Sequence, residues 1–224
     1  AGWARATGHN RAQVLYYIAE NLAARADEFS RRLGQLTGGD GAREVELSIE
    51  RLYTYAAWAD KYDGRVHHTP FRNVTIAMPE PIGVMGIACP DEAPLLGFVS
   101  TVMPAIALGN TVVAVPSETA PLAATDFYQV LDTSDVPGGV VNIVTGRRDE
   151  LTEVLAAHDD VDGMWYFGTA EGSALVERLS AANMKRTWVG YGRDRDWFSA
   201  EQGEGEEFLR HATQVKNIWV PYGA

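Results

Sequence analysis

The chain has 224 residues, 46% hydrophobic and 22% charged, which suits one sizeable core and excludes a disordered or fibrous class. Its formal charge of -11 repels phosphate backbones and anionic lipid, so nucleic acid and membranes are not expected partners. A single cysteine cannot form an internal disulfide, and no apolar run reaches the ~18 residues of a membrane span; a reducing, cytoplasmic setting is expected.

The chain opens mid-pattern at Gly2-Trp3 without a methionine and reads as a piece of a longer protein. Residues 10–35 predict one amphipathic helix, with Val14, Leu15, Ile18, Leu22, Phe29 and Leu33 on one face and Asn10 as its N-cap. A second helix is expected over 43–62. Residues 65–80, "RVHHTPFRNVTIAMPE", alternate in polarity and contain Pro70, which predicts a strand pair or flap instead of a central strand. The two helices form the 1–64 unit, packed on the Rossmann-like domain that the rest of the chain predicts.

From residue 82 short apolar runs rich in β-branched residues recur at 82–88, 111–115, 140–144, 161–166 and 187–189. Helical stretches near 94–108, 119–132, 149–157 and 170–182 separate them. Strands without internal alternation, spaced by helices, predict an α/β fold: a Rossmann-like doubly wound parallel sheet over 81–190. Residues 191–212, "RDRDWFSAEQGEGEEF" among them, are polar, acidic and glycine-bearing and read as a linker or loose surface segment. A last strand is expected over 213–222. With 65–80 it would form a β-flap whose Thr213, Val215, Ile218, Trp219 and Val220 meet a partner.

A doubly wound sheet invites a dinucleotide, yet no G-x-G-x-x-G comes after the first strand. The turn there is "CPDEAP", whose Asp91 and Glu92 would repel a pyrophosphate. "FGTAEGS", from Phe167 to Ser173, offers a glycine-bearing strand-to-helix turn as an alternative phosphate site. Cys89 lacks a cationic or histidine neighbour in sequence, and the two acids beside it would raise its pKa, so it reads as an apolar filler. His67 and His68 would point to opposite sides of a strand, which does not suit chelation; no metal is expected. Glu201, Glu204, Glu206 and Glu207 read as a solvated acidic run, and Trp197 as an anchor for the linker.

Four segments together carry a resemblance. "EPIGVMGIACPDEAPLLGF" (80–98) resembles the aldehyde dehydrogenase pattern E-P-x-G-V-x-G-x-I-x-P-W-N-x-P-L. "MPAIALGNTVVAVPSETAPL" (103–122) is similar to A-P-A-L-A-x-G-N-T-V-V-x-K-P-S-E-x-T-P, "VPGGVVNIVTG" (136–146) to L-P-x-G-V-x-N-V-V-x-G, and "YFGTAEGS" to F-T-G-S-T-x-x-G. In that family the asparagine of P-W-N lends an oxyanion donor; Glu92 stands there. The cofactor-binding lysine corresponds to Val115, although Ser117 and Glu118 remain, and Gly168 and Thr169 keep part of the second turn. The general-base glutamate is replaced at Val189 or Gly190, and the domain bearing the nucleophilic cysteine does not come after this point. The closing "TQVKNIWVPYGA" resembles the family's C-terminal oligomerisation strand. The whole most resembles the truncated, non-catalytic C-terminal domain of family-sixteen aldehyde dehydrogenases.

The resemblance implies no catalytic residues in this segment, vestigial cofactor contacts at most (Ser117, Glu118, Gly168, Thr169), no cofactor of its own, and NAD in the catalytic unit of a parent chain. That unit and a second copy are the expected partners. Three functions stay open: a structural assembly domain, a residual NAD-binding regulatory domain, and an aldehyde oxidoreductase acting by itself.

Overall fold

The computed structural model describes residues 2–222; Ala1, the outer end of the first unit read from sequence, and Gly223–Ala224 lie outside the described residues. After a short 3-10 turn, α1 (Gly8–Ala24), α2 (Ala26–Thr37) and α3 (Gly41–Trp58) form an N-terminal layer. The single helix expected over 10–35 is thus two. The break falls at Arg25, whose side chain bonds Glu28 at 2.6 Å and Gln129 at 3.2 Å. Thr7, not Asn10, caps α1: its hydroxyl accepts from the Asn10 amide at 3.1 Å.

Two sheets come next. In the first, β1 (Arg65–His67), β2 (Asn73–Pro81) and β8 (Thr213–Pro221) lie antiparallel in the order β1-β2-β8. The second is parallel, built from β3 (Val84–Ala88), β4 (Thr111–Val115), β5 (Val141–Ile143), β6 (Gly163–Tyr166) and β7 (Arg186–Val189) in the order β5-β4-β3-β6-β7. Between them come α4 (Pro94–Ala107), α5 (Leu122–Asp132), α6 (Arg148–Ala157) and α7 (Ala170–Ser180). The doubly wound parallel sheet expected from the sequence is present. Its apolar strands need cover on both faces, and the crossover helices supply it.

Helix α4 is buried along its whole length, which explains why its sequence lacks a polar face. Ala93, at its N-cap, has no side chain to satisfy the first amides. Glu44 of α3 does so instead, accepting from Leu95 N at 2.7 Å and Leu96 N at 3.1 Å. Burial raises the Glu44 pKa, and those two bonds oppose the rise.

The structure corrects the reading of 191–212 as a loose linker. It carries α8 (Ala200–Gly203) and α9 (Glu206–His211), and Trp197, Phe208 and Leu209 are buried against the main core. Arg51, buried in α3, donates to the carbonyls of Trp197 and Ser199 and to Ser100 Oγ, with Glu204 3.8 Å away. The run of glutamates is therefore not uniformly solvated. A Cβ at Gly203 would run into both the Arg51 guanidinium and the Trp197 carbonyl, so only glycine lets α8 approach this closely.

Asn110, fully buried, roots the last strand. Its side-chain oxygen accepts from Gly83 N at 2.9 Å, while its amide donates to Ala105 O at 2.9 Å and Ala212 O at 2.8 Å. From Ala212, β8 leaves as the outer strand of the small sheet, paired with β2 from Thr213↔Pro81 to Pro221↔Asn73.

Candidate functional site

In the parallel sheet, strand order reverses between β3 and β6; the crevice beyond the carboxyl ends at such a point is where doubly wound folds hold ligands. A cleft of about 660 Å³ opens there. Its walls come from the loop after β3 (Pro90, Asp91, Glu92), the turn after β6 (Phe167 to Thr169) and the segment leaving β7.

The cleft is spanned by the chain's own charges. Asp91, expected to repel anions, is itself held. One carboxylate oxygen accepts from Ser117 Oγ at 3.0 Å and Glu118 N at 2.7 Å, and the other pairs with the Arg148 guanidinium. Arg148 also donates to Phe167 O at 3.1 Å, bridging the ends of β3 and β6, while its amide gives a bond to Glu118 Oε2 at 2.8 Å. Nothing local in the sequence marks Arg148 for this role. Glu92 stays exposed at the cleft mouth, and Val189 and Gly190 lie at the end of β7, where the Gly190 amide bonds Tyr166 O at 3.1 Å.

Gly168 and Gly172, read as a phosphate turn, have another use. A Cβ at either would collide with the Tyr166 ring or hydroxyl, so both glycines make room for that tyrosine. Thr169 caps α7 by accepting from Gly172 N at 3.1 Å, and its own amide donates to Tyr166 Oη at 3.3 Å. Ser173, fully buried, donates to Thr169 O and accepts from Tyr191 N, both at 2.9 Å.

The polar groups that the sequence offers to a dinucleotide are engaged by the chain itself. Ser117 is fully buried with its hydroxyl committed to Asp91, Val115 lines the core, and Glu118 is occupied by Arg148. Four residues named from the sequence, Ser117, Glu118, Gly168 and Thr169, do gather round one crevice. Their polar groups bond each other and their neighbours.

Cys89 is fully buried at the end of β3. Loss of hydration pushes its thiol pKa up to about 12, countered only in part by the Thr101 hydroxyl 3.5 Å away and by the charge of Arg148. Desolvation, not the neighbouring acids, is the dominant cause. Among the described residues, no group of three or more His, Cys, Asp or Glu side chains is placed to hold a metal ion, and no helix is long and apolar enough to cross a membrane.

Beside the cleft, Trp165, Phe167, Trp188, Trp197 and Phe208 meet edge to face. Arg195 sits 5.2 Å from the Trp188 ring centre and 5.7 Å from that of Trp197, and pairs with Glu207 at 3.3 Å. His211 stacks on Trp188 with ring centres 4.1 Å apart. Burial lowers the His211 pKa; Glu207 opposes this, while Arg210, Arg195 and Arg186 add to it. A depressed folded-state pKa means the unfolded chain binds the proton more readily, so stability falls as pH drops below about 6.5. His211→Phe should flatten that decline in melting temperature between pH 7.5 and 5.5; an unchanged pH profile would count against this role for the imidazole.

The profile of the Aldehyde dehydrogenase family matches residues 1–198. An aldehyde dehydrogenase of Agaricus bisporus is 33% identical over 192 residues, covering 83% of this chain and 38% of that protein. A hydroxyisobutyraldehyde dehydrogenase of Mycolicibacterium austroafricanum is 34% identical over 186 residues, covering 81% and 37%. The chain thus spans well under half the length of these curated relatives. Among solved structures, PnpE from Pseudomonas sp. WBC-3 in complex with nicotinamide adenine dinucleotide superposes with a TM-score of 0.80 at 26% identity, covering 84% of this chain and 39% of that one. Betaine aldehyde dehydrogenase of Staphylococcus aureus, at 24% identity and a TM-score of 0.79, shares the fold. With the parallel sheet, its order and the profile match in agreement, the chain belongs to the aldehyde dehydrogenase family.

Proposed function

We propose that the chain is a non-catalytic assembly domain that docks on the catalytic unit of its own parent chain, an NAD-dependent aldehyde dehydrogenase of the cytoplasm, and that it also supports a homodimer. The observation that carries this is the small sheet. Strand β8, nine residues long, is ladder-paired to β2 on one side and is the outer strand on the other, leaving the backbone donors and acceptors of its alternate, outward-turned residues for another strand.

Its side chains suit the same end. Val215, Trp219 and Val220 are 62%, 54% and 49% exposed, a large apolar display for one strand. Of the interface residues read from sequence, Thr213 departs: it is buried and donates to Leu209 O at 3.0 Å, so it roots the strand instead of meeting a partner. Ile218 is half-buried.

Loss of chemistry supports the reading from the other direction. Glu92 offers no side-chain oxyanion donor, Val189 or Gly190 offers no general base, and Cys89 is buried with a raised pKa. NAD, which PnpE holds, would belong to the catalytic unit of the parent and not to this segment.

With this segment and the catalytic unit produced as two separate polypeptides, removing residues 213–224 should abolish their co-elution on size-exclusion chromatography. Retained co-elution of the truncated, folded protein would reject the assembly role.

A further inference from the structure

The group of donors around Asp91 is more than a salt bridge. Ser117 Oγ, the Glu118 amide and the Arg148 guanidinium converge on one carboxylate from two separate segments, the loop after β4 and the start of α6. The Thr119 amide lies 3.5 Å from the same oxygen. Such a set, a guanidinium with a hydroxyl and main-chain N–H groups, is what binds an oxyanion. Ser117 is fully buried, and Arg148 is braced from behind by Phe167 O, so the donors are positioned by the fold and not gathered loosely by a surface acid.

We infer that these donors form an oxyanion cradle whose resident ligand is the chain's own Asp91, and that this tethered carboxylate shuts the crevice to outside phosphate. The cradle lies on the cleft at the strand-order reversal, where an incoming phosphate group would otherwise arrive. A tethered ligand competes at a high effective concentration, so a free anion must displace a group that never diffuses away. Taking away the Asp91 carboxylate leaves the Arg148 guanidinium without its ion-pair partner beside three polar donors, with Glu118, which accepts from the Arg148 amide, still close by. That arrangement takes up a small oxyanion, with inorganic phosphate as the natural probe.

The inference depends on the cleft geometry alone, and it stands or falls independently of the assembly role tested by the 213–224 deletion. Three proteins decide it: the wild type, Asp91→Ala, and Asp91→Ala combined with Arg148→Gln. Each is titrated calorimetrically with inorganic phosphate, with sodium chloride at matched ionic strength as the reference. Asp91→Ala should bind phosphate saturably with a Kd on the order of a millimolar, and its melting temperature should rise with phosphate but not with chloride. The double variant should bind about tenfold more weakly or not at all. The wild type should show no saturable heat in the same range. Should Asp91→Ala fail to fold, Asp91→Ser, whose shorter side chain carries no charge and withdraws from the cradle, takes its place in the same titration. The idea is overturned if the wild type binds phosphate as tightly as the variant, or if the folded variant shows no phosphate-dependent signal.

Discussion

Replacing Arg51 by methionine should lower stability by about 3–5 kcal/mol, more than any exposed substitution in the chain. The side chain is 2% exposed, and burial lowers its pKa, though a guanidinium stays charged under any such shift. It is the common partner of Ser100, Trp197 O and Ser199 O, with Glu204 at 3.8 Å. Methionine fills much of the same volume, so the loss is not chiefly a cavity. It comes from the buried Trp197 carbonyl left without a donor, whereas Ser199 O still accepts from Gly203 N at 2.8 Å, and from Glu204 losing the guanidinium beside it. The urea midpoint should fall accordingly, and trypsin should cut after Arg193 and Arg195 far faster than in the wild type. A variant with an unshifted midpoint and the same proteolysis rate would show that 191–212 is held by its aromatic residues alone.

Trp165→Ala should cost a comparable amount, about 3–5 kcal/mol, by a different route. Trp165 is 1% exposed on β6, and its ring meets Trp188 edge to face at 4.8 Å and Phe208 at 6.4 Å. Deleting the indole leaves a void between the parallel sheet and α9 that a rigid strand cannot close. Trp165→Phe, which keeps a ring in the same place, should restore most of the stability. Thermal unfolding followed by near-ultraviolet circular dichroism reads both variants, since the edge-to-face cluster gives its signal there. Equal losses in the alanine and phenylalanine variants would mean that the cluster needs the whole indole and that a smaller ring in its place restores nothing.

Much of this molecule is readable from its amino acids because the parallel sheet leaves a simple trace. Each of its strands is an apolar run closed by a turn, so positions such as 111–115 fall where β4 lies. The features that escape such a reading are set by contacts distant in sequence. The break at Arg25 has no proline or glycine to announce it. The segment 191–212 looks loose because it is polar, but its polar groups answer to Arg51 and Arg195, and its large buried anchors, Trp197, Phe208 and Leu209, are thinly spread. The cleft is half-legible. Asp91 and the two glycines of "FGTAEGS" stand out in the sequence, but their partners, Arg148 and Tyr166, can be assigned only once the fold brings them together.

Asn110 sets a limit on how the outer ribbon can behave. By clasping Ala212 together with Gly83 and the end of α4, it fixes the heading of the last strand at its base. An unfastened ribbon would sweep a wide cone, and any mate catching it would have to arrest that motion. Held at the hinge, it arrives already aimed, so less orientational entropy is surrendered on capture and a modest contact area suffices for a durable complex.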